Sequence, residues 1–285
     1  QSAFVRGWIE ANNLRKEAGA LCLIPAKDGK LESVVAVVDD ELNLWSIAHL
    51  PARLPPHAYH LDGAFSKEDA TQLTLGWALA CYEFTRYKKS EKKFASLVAP
   101  KGCDMEYMES MAAAICWTRD LINTPAGDMN PQALAEEAVG WAQSAGGKAA
   151  VIKGEQLLKA NYPMVYAVGK ASSVPPHFVD IRFARKGAPK VTLVGKGVCF
   201  DSGGLDIKST ANMKLMKKDM GGAACVLALA KAIVDTGVKV QLRVLLPIVE
   251  NAIGGNAMRP LDIVPTRKGI SVEIGNTDAE GRLIL

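Results

Sequence analysis

Histidine is nearly absent from this 285-residue chain. The four copies, His49, His57, His60 and His177, show no HExxH spacing of the kind that seats a metal on a helix. Any metal site must therefore be built mainly from oxygen ligands. Six cysteines (Cys22, Cys81, Cys103, Cys116, Cys199 and Cys225) are scattered, with no CxxC pair. That excludes a close-spaced thiolate site, and they read as reduced core residues of a cytosolic protein. No stretch approaches the roughly 18 apolar residues of a membrane span. Glu10, Arg15, Lys16 and Glu17 interrupt any apolar centre that a signal peptide would need. Charge of one sign is lacking too: 34 basic against 30 acidic side chains leave +4, with no electrostatic footprint for nucleic acid. The basic run Lys88 to Lys93 reads as a solvated face. A phosphate loop of the form GxxxxGK[ST] is missing. So is the Gly-x-Ser-x-Gly elbow of a serine hydrolase: Ser202 sits in Phe-Asp-Ser-Gly-Gly, where it would support the loop that aims Asp201.

What is present is an ordinary globular balance, 49% hydrophobic and 22% charged, long enough for two domains. Residues 21–24 and 34–38 read as buried strands. A helix over 66–88 is capped by Ser66, with Asp69 placed to reach back. Residues 96–99 form a further short strand, and Pro100-Lys101-Gly102 breaks the pattern, so a boundary falls near 104. A helix over 105–122 is stopped by Pro125. Asn130 caps the next, with Pro131 at its first position, and that helix runs to Gly146-Gly147. Strands at 178–183, 190–194 and 239–248, with an apolar helix over 221–236 ending at Gly237, predict a largely parallel sheet. Such sheets place ligands at the carboxyl ends of their strands. Lys196, Asp201 and the 250–258 loop fall there, and Asp219 lies just before the apolar helix.

Two clusters carry the chemistry. One runs from Gly195-Lys196-Gly197 through Asp201-Ser202-Gly203-Gly204 and Lys208 to Asp219-Met220-Gly221-Gly222; the other is Asn276-Thr277-Asp278-Ala279-Glu280-Gly281-Arg282. Four carboxylates, two lysines and an arginine gather in or near glycine-rich loops. Crowded carboxylates repel unless cations hold them, and paired divalent ions would do so. The spacing of Asp278, Glu280 and Arg282 suits an extended segment with all three on one side.

These stretches, together with Val194, Met213 to Met216, Asn251 to Pro260 and Arg119 to Pro125, resemble the leucine aminopeptidase (cytosol aminopeptidase) family of dizinc metallopeptidases, over roughly 115–285. The resemblance implies an α/β fold: a small N-terminal α/β domain over 1–104, then a catalytic domain over 105–285. The latter would be a mixed, largely parallel sheet flanked by helices, cut short at its C-terminus. It implies two zinc ions, with manganese open for one site. Asp201 and Glu280 would bridge them, Lys196 and Asp219 would complete one site, and Asp278 the other. Lys208 would polarise the scissile carbonyl, and Arg282 would hold a bicarbonate acting as general base. Met216 and Asn276 would contact substrate, and the Asn251–Met258 loop would shape the site without touching metal. Lys196 would ligate as the neutral amine, which adjacent Zn2+ favours, whereas Lys208 must stay charged. The implied activity is release of an N-terminal residue, Leu or another apolar one, from peptides by a metal-activated water. The implied setting is a cytoplasmic homo-oligomer, commonly a hexamer, that binds neither nucleic acid nor membrane. The alternative is an inactive or truncated scaffold homologue of the same fold.

Overall fold

The computed structural model describes residues 2–285, which fold as two compact units, one ending at Ala113 and the other running from Ala114 to Leu285. In the first unit, helix α1 (Ala3–Ala11) starts at Ser2, whose hydroxyl accepts a bond from the Val5 amide. Strands β1 (Leu21–Pro25) and β2 (Leu31–Ala36) form an antiparallel hairpin. They are less buried than expected: β1 alternates, and no residue of β2 is fully covered. The two-residue strands β3 (Ala58–Tyr59) and β4 (Ser96–Leu97) pair in parallel. Helix α2 (Lys67–Ala80) begins where its cap requires. The Asp69 amide donates to Ser66 Oγ at 3.0 Å, and that hydroxyl donates to Asp69 Oδ2 at 2.6 Å. It stops at Ala80, eight residues short of the expected end. The apolar stripe of Ala70, Leu73 and Trp77 is not continued, and the aromatic and β-branched residues Tyr82, Phe84, Thr85 and Tyr87 hold a helix poorly. Leu73 and Trp77 pack with Ile47, Leu50, Leu54 and Ala95. Gly76 permits this, because a Cβ there would lie 1.7 Å from the Leu44 carbonyl oxygen.

Helix α3 (Met105–Asn123) leads into the second unit. Helix α4 (Pro131–Ser144) starts on the Asn130 side chain, which accepts from the amides of Gln132 and Ala133. Next come β5 (Lys148–Lys153), the short helices α5 (Gln156–Lys159) and α6 (Pro163–Gly169), β6 (His177–Phe183), β7 (Lys190–Val194), β8 (Gly197–Asp201), α7 (Thr210–Met213), α8 (Gly221–Asp235) and β9 (Gln241–Asn251). The hairpin β10 (Ile263–Pro265) and β11 (Ser271–Glu273) and the terminal helix α9 (Gly281–Ile284) complete the unit. The sheet order is β5-β6-β9-β7, and β8 also pairs with β9. β7 and β8 run parallel to β9, β6 runs antiparallel to it, and β5 antiparallel to β6, so only β6 opposes the common direction. Alternate residues of β9 serve two cores, as a strand's period of two requires. Leu242, Val244, Leu246 and Ile248 meet α4 and α8 residues such as Leu134, Ala138 and Leu227. Leu245 and Val249 face Val165, Phe178 and Ile284. One expectation fails on α8: Cys225, read as core, is exposed on the face opposite Ala223 and Leu227.

A charged ladder crosses β6 and β9. Asp180 accepts a bidentate pair of bonds from Arg182 (3.1 and 2.8 Å) and another from Arg243 (3.1 and 2.7 Å). Burial pushes this carboxyl up, but the two guanidinium groups outweigh it and hold the pKa at about 2. A carboxyl depressed on folding stabilises the fold above its unfolded pKa of about 4 and loses that contribution as pH falls to about 2. Because both arginines are substantially solvent-exposed, water screens the pairing and leaves it worth about 1–2 kcal/mol. Asp180→Asn should therefore lower the unfolding free energy by that amount at pH 7. The gap should shrink progressively from about pH 5 to about pH 1 in urea titrations of both proteins; a gap at pH 2 as large as that at pH 7 contradicts the assignment.

Candidate metal centre

Within the segment Gly195 to Gly204, expected as a glycine-rich loop, Gly197–Asp201 is strand. β7 and β8 lie in line along one edge of β9, with Val194 opposite Leu245 and Gly197 opposite Ile248, and the half-buried Lys196 sits at the break between them. The flanking glycines allow close approach. A Cβ on Gly195 would lie 2.7 Å from Ala223 Cα, and one on Gly197 would lie 2.6 Å from the Pro247 oxygen. The Lys196 carbonyl accepts from the Ala223 amide at 2.8 Å, which fixes this break to the start of α8. Asp219 lies in the 3-10 turn Met216–Met220 that runs directly into α8. Lys196 Nζ is 2.8 Å from Asp219 and 2.8 Å from Glu280 Oε1.

Asp201 ends β8 and is 3% exposed. Its Oδ1 accepts from the Gly203 amide at 2.9 Å and from Asn251 Nδ2 at 2.8 Å, while Oδ2 lies 2.9 Å from Lys208 Nζ. Lys208 also donates to Asp278 Oδ1. Gly203 and Gly204 adopt positive φ (88° and 66°), which returns the chain towards Lys208 at low steric cost. Residues 277–279 form a 3-10 turn capped by Asn276, whose side chain accepts from the Asp278 amide at 2.7 Å; helix α9 follows. This corrects the extended reading of 278–280. Asp278 and Glu280 converge because the turn curls around the buried Thr277, not because alternate residues share a strand face. Thr277 Oγ1 donates to the Gly203 oxygen at 2.6 Å and accepts from the Asp206 amide at 2.8 Å, and its own amide donates to Asp206 Oδ2 at 2.7 Å. Gly281 lets Lys196 pass, since a Cβ there would sit 2.6 Å from its Cε.

Six of the nine residues singled out from the sequence thus meet in one place: Lys196, Asp201, Lys208, Asp219, Asp278 and Glu280. Carboxylate oxygens of Asp201, Asp278 and Glu280 lie within 4.8 Å of one another. Asn276 and Arg282 line a cavity of about 460 Å³ beside Asp278. Arg282 is exposed, and Met216 is half-buried at the start of the Asp219 turn; the structure shows no polar contact between Arg282 and the carboxylates. Three residues were missed as parts of this network: Asn251, Asp206 and Thr277. Asn251 could have been suspected as the first polar carboxamide after a buried strand, and Thr277 from its place inside the motif. Asp206 gave no signal.

Does this set fit a divalent cation? Four carboxylates face two ammonium groups, so negative charge is in excess. Glu280 is 2% exposed, and its Oε2 has no hydrogen-bond partner, an orphaned acceptor that costs about 1–3 kcal/mol and that a cation would satisfy. Burial raises the Glu280 pKa, the hydrogen bond from Lys196 opposes this, the charge of Asp201 adds to it, and the net shift is upward. Burial pulls both lysines down, but the bonds and charges of Asp219 and Glu280 raise Lys196, and those of Asp278 and Asp201 raise Lys208. Both are held as ammonium, so ligation through Lys196 Nζ would require its proton to leave. The oxygen-rich set fits divalent metal.

Comparison with known proteins places this arrangement. Residues 116–285 match the family model described as "Cytosol aminopeptidase family, catalytic domain", and residues 1–100 match "M17 aminopeptidase, N-terminal domain". Leucine aminopeptidase 1 of Caenorhabditis elegans is 44% identical over 183 residues, which span 64% of this chain and 37% of the relative. The crystal structure of the cytosol aminopeptidase from Coxiella burnetii superposes with a TM-score of 0.94 at 43% identity, covering 100% of this chain and 62% of that one. The bottromycin maturation enzyme BotP in complex with Mn matches with a TM-score of 0.85 at 30% identity, covering 100% and 64%. The chain therefore spans less than two thirds of the length of each of these proteins.

Proposed function

Because the chain belongs to the cytosol aminopeptidase family, we propose that it carries the metal centre of an aminopeptidase that removes an N-terminal Leu or other apolar residue from peptides. The observation that carries this reading is the convergence of Asp201, Asp278 and Glu280, with the buried Glu280 Oε2 left unsatisfied. In this reading Asp201 and Glu280 would help hold both ions, Lys196 and Asp219 would complete the donor set for one, and Asp278 that for the other. When bound, two divalent ions, zinc or with manganese in one site, would supply the Lewis acidity that polarises a peptide carbonyl and makes water nucleophilic near neutral pH.

The remaining work belongs to side chains. The substrate's free amine would be taken up at the metal pair, which would set an exopeptidase register. Lys208 holds its proton and donates to the carbonyl oxygen as negative charge develops there. Arg282 is exposed beside Asp278 and offers the planar fork that suits a bicarbonate ion, a base that no side chain of the cluster supplies. Asn276 and Met216 contact the substrate's first residue. Assembly as a homo-oligomer, by family analogy a hexamer, belongs to the same proposal. So does a cytoplasmic setting; no described helix is long and apolar enough to cross a membrane.

Hydrolysis of leucine p-nitroanilide by the full-length protein tests the reading. Exhaustive chelation should reduce the rate by more than about 100-fold, and Zn2+ or Mn2+ should restore it. Undiminished turnover by protein shown to be metal-free, or no release of any apolar N-terminal residue by metal-loaded protein, rejects it.

A further inference from the structure

We propose that Asn251 is a positioning residue of this centre, whose carboxamide fixes the rotation of Asp201 and ties it to the turn that carries Asp278 and Glu280. Asn251 is 3% exposed at the end of β9, directly opposite Asp201 in the parallel ladder. The pairing shifts register between Val198 and Asp201, the kind of irregularity that re-aims a side chain. Both hydrogens of its Nδ2 are engaged: one bond runs to Asp201 Oδ1 at 2.8 Å and the other to the Thr277 carbonyl at 3.1 Å. The residue is itself clamped, because its carbonyl accepts from Ser202 N at 3.1 Å and from Ser202 Oγ at 2.7 Å. A single amide thus spans two segments that are more than seventy residues apart in sequence.

The consequence for Asp201 is an asymmetry between its oxygens. Oδ1 accepts from both Gly203 N and Asn251 Nδ2, which occupies its two lone-pair directions. Oδ2 is left to face the cation side of the site, where Lys208 Nζ lies. The terminal torsion of an aspartate is otherwise soft, so without Asn251 the carboxylate can turn and divide its oxygens differently. The Thr277 bond also holds the second motif at a fixed distance from the first. Residues that orient ligands in this way contribute about 10–100-fold to metal affinity.

This inference rests on the metal-centre reading, and the test separates the two. Mn2+ binding to the full-length protein is measured by calorimetry, and the Co2+ form by its d–d absorption, for wild type, Asn251→Ala and Asn251→Ser. Serine keeps a polar group in the cleft but cannot span Asp201 and Thr277, and it serves if the alanine variant folds poorly. The expected result is a Mn2+ affinity 10–100-fold weaker and an altered Co2+ spectrum in folded variant protein. A variant of lowered stability whose affinity stays within twofold of wild type, with an unchanged spectrum, overturns the inference and leaves the metal centre standing. A wild-type protein that takes up no Mn2+ overturns both.

Discussion

In the full-length protein, Glu280→Gln and Asp201→Asn should each lower peptidase activity by more than about 100-fold, in parallel with loss of bound metal. The bound follows from a comparison: losing a partner that only orients a ligand costs about 10–100-fold, and in the proposed centre these two residues would hold the cation themselves. Both substitutions keep size and shape but turn one acceptor oxygen into an NH2 donor, a change that costs Glu280 no bond, since its Oε2 has no partner, and costs Asp201 one, since both its oxygens accept. They act on a buried site where the oxygens of Asp201, Asp278 and Glu280 sit within 4.8 Å of each other. In such a place charge is the liability: Asp201 disfavours ionisation of Glu280, and Glu280 Oε2 is unsatisfied. In the presence of chelator, Glu280→Gln should therefore unfold at a urea concentration no lower than wild type does. A function that is lost while the metal-free fold holds or gains is the signature of a residue kept for chemistry at the expense of stability. Retained activity in both variants rejects the metal centre. Lost activity together with a collapsed unfolding midpoint in both would make the cluster a structural ion-pair knot.

Local chemistry explains which parts of the fold could be read from the chain. The start of α4 is written into Asn130-Pro131, and the start of α2 into Ser66 and Asp69, because a cap needs only its neighbours. The end of α2 depends on which residues find a core to face, so the sequence alone extended it past Ala80. β8 was hidden for a related reason. Gly197 and Val198 to Asp201 read as part of a glycine turn, and they become strand only by pairing with Ile248 to Asn251, some fifty residues later. At the site, the identities of the charged residues were legible because crowded carboxylates with interspersed lysines have few other uses. Their geometry was less so. The alternation of Asp278 and Glu280 suggested an extended segment, whereas Thr277, buried against Gly203 and Asp206, curls it into a 3-10 turn. Asn251 lay in a stretch expected only to shape the site, and its two bonds appear only once β8 and β9 are aligned.

Lys208 should separate catalysis from metal binding. It contacts Asp201 Oδ2 and Asp278 Oδ1, and its pKa is pushed upward by both despite its burial, so it carries its proton throughout the neutral range. A fixed ammonium beside the cluster is a poor neighbour for incoming divalent ions but a good donor to an oxygen that becomes negative. Lys208→Met keeps the aliphatic stem and removes the charge. The two carboxylates it released would then be freer for metal, so Mn2+ affinity should hold or rise. The kcat, by contrast, should fall by about 100–1,000-fold, the cost of deleting one preorganised donor to a developing oxyanion. Lys208→Arg should recover little of it, since the planar fork cannot place a single N–H where the compact ammonium sat. This pattern is opposite to that expected of Glu280→Gln, where metal and turnover disappear together. Kinetics at saturating metal, set beside calorimetric Mn2+ titrations, distinguish them. If Lys208→Met loses metal in step with activity, Lys208 supports the ligands and does not act on the substrate; if kcat is unchanged, the ammonium serves only to balance Asp201 and Asp278.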